Sequence, residues 1–372
     1  MSKMNNWQRI WNDVGSDSHN SPVKTITYIL SLLYRLIINS RNRLYDHKLL
    51  KEVKLTCPVI SVGNITVGGT GKTPCVIWLA QMLQQRGYRP VVLSRGYGGR
   101  NSQPVNIVTD GDKILLSGTI AGDEPLLIAR SLKGIPVITG PDRILTGRVA
   151  VNNFGANVLI CDDAFQHRRL YRDINIVLLD SSSPLGNGHL LPRGSLREPA
   201  TALHRASVLI ATRSAEATKK SDLIGKLAQA GNIPVFHSNH RSAGIVRGDY
   251  SVQLPPDMLE GKKICAFAGI GEPSSFKKSI LAAGAQIMSF DIFLDHHRYS
   301  RTEVKKINDC FIQSGADLLL TTEKDGMRLQ EYPKFLRTIY LIHIALEIVP
   351  EPKSLENYIL EKIAAARDTG VV

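Results

Sequence analysis

Cysteine is scarce and unpatterned. The 372-residue chain has five, Cys57, Cys75, Cys161, Cys265 and Cys310, odd in number, scattered and never in C-x-x-C spacing. That excludes a disulfide framework and a thiolate zinc site, and fits buried, reduced thiols in a cytoplasmic protein. A long apolar run is also missing. A membrane-spanning helix needs ~20 consecutive apolar residues, and the most apolar stretch, residues 26 to 38, is shorter and contains Arg35. No small-residue cleavage site follows it, which argues against a signal peptide. Acidic residues are in deficit: 33 Asp and Glu against 46 Lys and Arg leave a formal charge of +13. The partner is therefore acidic, whether a nucleotide, a phosphorylated substrate, an anionic lipid surface or nucleic acid. No basic low-complexity tail, RNA-recognition motif or zinc finger accompanies the charge, so no nucleic acid is expected. With 43% hydrophobic residues, the chain has material for two cores.

What the chain does have is the run Val59-Ile-Ser-Val-Gly-Asn-Ile-Thr-Val-Gly-Gly-Thr-Gly-Lys-Thr-Pro74. Val59 to Val62 read as a short buried strand, and Pro74 sits where the first helical turn tolerates it. Between them, Thr66, Val67, Gly68, Gly69, Thr70 and Gly71 form a loop whose backbone N–H groups can close around phosphate oxygens. Lys72 would reach the β- and γ-phosphates, and Thr73 would place its hydroxyl on Mg²⁺. The match to G-x-x-x-x-G-K-[ST] departs at the first glycine, held here by Thr66, so the loop is expected to bend differently. The competing reading is a plain Gly-rich turn before a helix. Agreement of strand, loop and helix start favours a phosphate site.

The N-terminal segment is amphipathic. Ile26, Ile29, Leu30, Leu33 and Ile37 recur at helical spacing, and Lys24, Arg35, Arg41, Arg43, Lys48, Lys51 and Lys54 flank or punctuate them. A helix lying in a membrane interface fits this pattern; packing on the protein's own core is the alternative. Beyond it, apolar runs alternate with helical segments: Pro90 to Leu93, Ile135 to Ile138, Val158 to Cys161, Ile174 to Leu179 and Val208 to Ala211 read as buried strands. The expected fold is α/β, a P-loop NTPase-like, mainly parallel sheet flanked by helices. After the turn-rich Leu254-Pro-Pro256, alternation resumes with strands at 264–268, 286–293 and 318–321. The expected division is an amphipathic lead-in (1–56), a P-loop kinase domain (57–255) and a smaller α/β lobe (256–372) closing over the cleft.

Three polar groups stand where chemistry is expected. Val158-Leu-Ile-Cys-Asp162-Asp163 is an apolar strand ending in two acids, suited to holding Mg²⁺ beside a phosphate loop. Asp162 is the better metal candidate, and Asp163, Gln166 and His167 would line the same cleft; solvated acids at a strand end are the alternative. Gly122-Asp123-Glu124-Pro125 opens a helix, where acids also serve as ordinary helix-start residues, and Asp123 is a candidate proton acceptor. Asp295-His296-His297 follows a strand, and its histidines are either loop residues without chemistry or an acid–base partner. Arg143, Arg193 and Arg197 could clamp phosphates.

Together, Thr66-Val-Gly-Gly-Thr-Gly-Lys-Thr-Pro74, Gly122-Asp-Glu-Pro125, Gly140-Pro-Asp-Arg143, Asp162-Asp-Ala-Phe-Gln-His-Arg-Arg169, Leu190-Leu-Pro-Arg-Gly-Ser-Leu-Arg-Glu-Pro199, Asp295-His296 and Thr322-Glu-Lys-Asp325 resemble the tetraacyldisaccharide 4′-kinase (lipid A 4′-kinase) family, in order, from about residue 20 into the C-terminal lobe. The resemblance implies a peripheral kinase at the cytoplasmic face of the bacterial inner membrane. It would move the γ-phosphate of ATP, with Mg²⁺, to the 4′-hydroxyl of a tetraacylated glucosamine disaccharide 1-phosphate. It also implies Asp123 as general base with His296 as dyad partner, Lys72 and Thr73 on phosphate and metal, and Asp162 and Asp163 in the metal site. Arg143, Gln166, His167, Arg197 and Glu198 would line the nucleotide or headgroup pocket. Ala164 departs from the glycine usual in the Asp-Asp-Gly-Phe-Gln-His run, which bears on the local backbone.

Overall fold

The structure is a computed structural model that describes residues 22–100, 103–216 and 222–368. Residues 1–21 of the expected lead-in and 369–372 of the C-terminal lobe lie outside them. In chain order the elements are α1 (Pro22–Asp46), β1 (Val59–Gly63), α2 (Lys72–Gln85), β2 (Pro90–Ser94), β3 (Asn106–Thr109), α3 (Gly118–Ala121), α4 (Asp123–Ser131), β4 (Val137–Thr139), α5 (Arg143–Phe154), β5 (Val158–Asp162), β6 (Ile174–Asp180) and β7 (Val208–Thr212). There follow α6 (Asp222–Gly231), β8 (Val235–Arg247), β9 (Gln253–Leu254), β10 (Lys263–Ala268), α7 (Pro273–Ala282), β11 (Gln286–Ile292), α8 (Arg301–Ser314), β12 (Leu318–Thr322), α9 (Glu323–Arg328), α10 (Pro333–Leu336), β13 (Ile339–Val349) and α11 (Pro352–Asp368).

The strands form one sheet in the order β11-β10-β12-β13-β8-β7-β6-β1-β5-β2-β4-β3. β1, β2, β5, β6 and β7 pair in parallel, as do β10, β11, β12 and β13. Every residue of β1, β2, β5 and β7 is buried. Covering helices leave neither face of a parallel sheet wet, which is why these strands read as unbroken apolar runs.

The two lobes join through a long antiparallel pair, β8 with β13, which the apolar pattern does not reveal. β8 carries His237, Ser238, Asn239, His240 and Arg241, and much of it is only partly buried. A half-exposed ladder needs no apolar run. After β13 the chain returns to the first core. Leu355, Ile359 and Ile363 of α11 are fully buried in the cluster that holds Ile60, Leu79, Leu83 and Ile176. Each such side chain contributes roughly 1.5–3 kcal/mol, so the C-terminal helix is an integral wall of the phosphate-loop lobe. Cores of the second lobe centre on Phe267, Leu319 and Leu341, and on Ile264, Phe276 and Leu320.

α1 shows an inverted pattern. Thr27 and Ser31 face inward, with hydroxyls bonded back to the helix's own carbonyls, whereas Ile26, Ile29, Leu30, Leu33, Leu36 and Ile37 are exposed, the last two by 65% and 66%. The apolar stripe therefore does not pack on the protein's own core. Among the described residues no helix is long and apolar enough to cross a membrane. What anchors α1 is polar: Tyr34 Oη donates to the Arg197 carbonyl at 3.0 Å, Arg41 reaches Glu198 at 2.9 Å, and Arg168 reaches Asp46 at 2.8 Å.

Candidate active site

The phosphate loop lies between β1 and α2, at the carboxyl end of the sheet. The chain leaves β1 for β2 beyond β5 on one side, and β6 closes on β1 from the other, so the crevice sits at a topological switch point. Gly71 caps α2 with φ +87°, and a Cβ there would stand 2.5 Å from His240 Nε2, so only glycine fits. No side chain caps the helix, which leaves its first amides to an anion. The departure at Thr66 has a structural cause. Thr66 bridges Leu196, Val67 N–H donates to the Ser195 carbonyl at 2.8 Å, and Arg197 N–H donates to the Ile65 carbonyl at 2.8 Å. This entry arm is extended backbone, where a β-branched residue is favoured over glycine. Asn64 then reaches across the loop to Thr70 Oγ1 at 2.9 Å.

Asp162 ends β5, next to β1, Asp163 follows in the turn, and the two meet different surroundings. The Asp162 side chain is buried and accepts from Ser94 Oγ at 3.0 Å. Burial, together with the negative charges of Glu124 and Asp163, pushes its carboxyl up to about 6. Asp163 turns away in a left-handed conformation, φ 50°. Arg197 Nη1 donates to it at 2.8 Å and Lys72 Nζ lies at 3.7 Å. Burial raises the Asp163 carboxyl, but these cations outweigh it and hold it below the usual carboxylate range. The left-handed residue is Asp163 and not its neighbour, so Ala164 occupies its position without strain.

Asp162 is a desolvated carboxylate with no paired cation among the described residues, which fits a site for a divalent ion. No group of three or more His, Cys, Asp or Glu converges to cage a metal among those residues. A Mg²⁺ held by one or two carboxylates, with phosphates and water completing its shell, matches that sparse donor set.

On the opposite wall α4 begins at Asp123. Gly122 precedes it with φ +91°, its Cβ position blocked by the Tyr97 carbonyl at 2.6 Å. Asp123 and Glu124 stand in the first turn, as the helix-start reading expects, though no side chain caps the helix, and each also takes a cation from α9. Arg328 Nε donates to Asp123 Oδ2 at 2.6 Å, and Lys324 pairs with Glu124. His296, in the turn after β11 with φ 58°, brings Nδ1 to 3.6 Å from Asp123 Oδ2. Burial raises the Asp123 carboxyl, but hydrogen bonds from His296 and Arg328 outweigh it and keep it ionised at neutral pH. Glu124 is within electrostatic reach of Lys72 and Asp163, which places the two walls on one cleft.

The structure thus brings Lys72, Asp162, Asp163, Arg197, Asp123 and His296 to that cleft. Gln166 Nε2 donates to the Asn64 carbonyl at 2.9 Å, bracing the phosphate loop. His167 is held neutral, down to about 4, by burial and by Arg143 and Arg172. Arg143 is 3% exposed and spends its guanidinium on the Gly140 and Asp162 carbonyls at 2.6 and 3.5 Å. Glu198 is fully buried among Arg41, Asn42 and Arg205. Sequence reasoning missed Ser94, Lys324 and Arg328. For the last two the signal was present, since Lys324 lies inside the Thr322-Glu-Lys-Asp325 motif and Arg328 follows one helical turn later.

The model of the family described as tetraacyldisaccharide-1-P 4′-kinase, LpxK, matches residues 23–364. The chain belongs to this family. It is 46% identical over 363 residues to the tetraacyldisaccharide 4′-kinase of Syntrophus aciditrophicus (strain SB), covering 95% of this chain and 97% of that protein. Against the enzyme of Geobacter metallireducens (strain ATCC 53774 / DSM 7210 / GS-15) the identity is 39% over 337 residues, 91% and 97% of the two chains. Among solved structures it is similar to LpxK from Aquifex aeolicus in complex with ATP, with a TM-score of 0.75 and 32% identity, over 92% of this chain and 99% of that one. The α/β fold expected from the strand and helix pattern is the fold of this kinase family.

Proposed function

We propose that this kinase transfers the γ-phosphoryl group of ATP to the 4′-hydroxyl of a tetraacylated glucosamine disaccharide 1-phosphate, directly and in line. One observation carries the reading. α4 presents Asp123 toward His296 and Arg328, while its next residue, Glu124, feels the charges of Lys72 and Asp163. A proton acceptor and a phosphate grip therefore face one space.

Amides of residues 68–73 and the Lys72 ammonium hold the triphosphate tail, and Asp163, fixed by Arg197, orients Lys72. Thr73 and Asp162, with Asp163 beside them, would hold Mg²⁺, which when bound neutralises charge on the phosphate oxygens. Asp123 accepts the sugar hydroxyl proton, with His296 as its partner, worth about 10²–10⁴-fold in rate. No phosphoenzyme is needed. Gln166, His167, Arg143 and Glu198 act from beneath, bracing the loop and strand ends that carry the contacting groups.

The exposed stripe of α1, flanked by Arg35, Arg43 and Lys48, suits docking at an anionic lipid surface such as the cytoplasmic face of the inner membrane. There it would meet a substrate whose acyl chains stay in the bilayer. The unit 57–255, joined by α11 from the end of the second range, and the rest of 256–372 act as the walls of the cleft, the latter closing over bound nucleotide. The test is incubation with γ-labelled ATP, Mg²⁺ and tetraacyldisaccharide 1-phosphate in detergent. Label should enter the lipid; ATP hydrolysis without lipid labelling would overturn the proposal.

A further inference from the structure

Thr322-Glu-Lys-Asp325 stood out in the sequence without a role, and its surroundings supply one. Asp325 is fully buried. Its carboxylate accepts from Thr322 Oγ1 at 2.7 Å, Gly269 N–H at 3.1 Å, Tyr299 Oη at 2.9 Å and Arg328 Nη1 at 3.0 Å. A buried charge is tolerated only when paired and hydrogen-bonded, and here every contact also fixes a direction. Arg328 Nη1 makes a second bond, to the Gly269 carbonyl at 2.6 Å. With that nitrogen committed, the planar guanidinium cannot rotate. Its remaining edge donates from Nε to Asp123 Oδ2 at 2.6 Å and from Nη2 to His296 Nδ1 at 3.3 Å.

The geometry points to Arg328 as a positioning residue for phosphoryl transfer: clamped by Asp325, its guanidinium holds Asp123 and His296 in one fixed relation across the two lobes. This rests on the reading of Asp123 as the general base. Arg328 occupies Oδ2 and leaves Oδ1 to receive the sugar proton. Its Nη2 lies 3.3 Å from His296 Nδ1, which is itself 3.6 Å from Asp123 Oδ2, so imidazole and carboxylate are held against one guanidinium. The arginine therefore organises the dyad by contacting both of its members. A pair serving stability alone would have no need to end both outward donors on the two residues expected to move the proton. An ammonium, which lacks the planar fork, could not hold these four acceptors in fixed directions.

The experiment uses the full chain in detergent with ATP, Mg²⁺ and tetraacyldisaccharide 1-phosphate. It compares Arg328→Gln, Arg328→Lys, Asp123→Asn and the double variant Asp123→Asn/Arg328→Gln. Misaiming a catalytic group by about 1 Å costs about 10²-fold. Arg328→Gln should therefore lose about that factor in kcat while the KM for ATP stays within about twofold. Arg328→Lys should recover part of the loss. The double variant should be no slower than Asp123→Asn alone, because both changes disable one unit. Wild-type kcat in a folded Arg328→Gln variant, or losses that multiply in the double variant, would overturn the assignment. If Arg328→Gln does not fold, Arg328→Lys decides: wild-type kcat refutes the role, and a reduced kcat at unchanged KM and thermal midpoint upholds it. Failure of the underlying reading looks different, since Asp123→Asn would then turn over like wild type, and the arginine's role would fall with it.

Discussion

Two pairs of adjacent acids face each other across the cleft, and the protein handles them in opposite ways. Asp123 and Glu124 are matched one for one by Arg328 and Lys324, both from α9 of the second lobe. Asp162 and Asp163 are split: Asp163 takes Lys72 and Arg197, while among the described residues the Asp162 side chain has only the Ser94 hydroxyl. A carboxylate held ionised by a guanidinium is ready to accept a proton at neutral pH. A carboxylate buried beside other acids lacks compensation until a cation arrives. Chemically identical neighbours acquire different tasks from the partners brought to them.

Neutralising the acids in turn is the direct way to break this contrast. The largest effect is expected at Asp123→Asn, which should lower kcat by about 10²–10⁴-fold with ATP binding preserved in an equilibrium titration. Lys72→Ala should damage both binding and turnover; comparable turnover in Asp123→Asn and wild type would remove the base from its role.

Next comes Asp162→Asn, which should abolish Mg²⁺-dependent transfer and yet stabilise the metal-free protein. The sign follows from the direction of the shift. The folded carboxyl, at about 6, sits above its unfolded value of roughly 3.9, so at neutral pH the fold disfavours the charge that the unfolded chain carries freely. Removing that charge should raise the thermal midpoint at pH 7–8 by a few degrees. Asp163→Asn should do the reverse and lower it, because Lys72 and Arg197 lose their anion. Equal shifts in one direction would mean that the two acids are not different.

Lys324→Met tests the other wall. It leaves the partly exposed Glu124 without its cation and should cost about 1 kcal/mol or less, as for other solvent-accessible ion pairs, read as a slightly lower denaturation midpoint. The smallest effect is expected at an acid that opens α9, Glu323, whose partner His343 lies at 2.9 Å. The hydrogen bond to Glu323 raises the His343 pKa despite burial. This pair's stabilisation is therefore full below the ordinary histidine range and fades as pH rises through the raised value. The difference in thermal midpoint between wild type and His343→Gln should shrink by about a degree or two across that rise; a gap that widened with pH would contradict the pairing.

Much of the phosphate-loop lobe was legible because parallel strands buried on both faces write themselves as apolar runs. β5, expected at Val158 to Cys161, spans Val158–Asp162, and α2 runs from Lys72, two residues before the Pro74 expected in its first turn. β8 was not legible, since a partly exposed antiparallel strand rich in histidine, serine and asparagine carries no such run. Nor was the return of α11 to the first core, because an amphipathic helix declares that it has an apolar face without naming what covers it. At the site, Lys72, Asp162 and Asp163 are local to one motif or one strand end and could be read directly. The Arg328 link to Asp123 spans 205 positions, and only the docking of α9 on α4 creates it.

Local chemistry was determined by the sequence alone. A glycine loop ahead of a lysine and a threonine, acids at a strand's end and a basic, apolar-striped first helix are short-range patterns whose backbone and charge requirements leave few readings. Tertiary structure decided which acid stays charged, which is left without a paired cation and which groups surround Asp123, the proposed base. Those properties depend on burial and on charges within a few ångströms, and these distances exist only after segments far apart in the chain have been packed together.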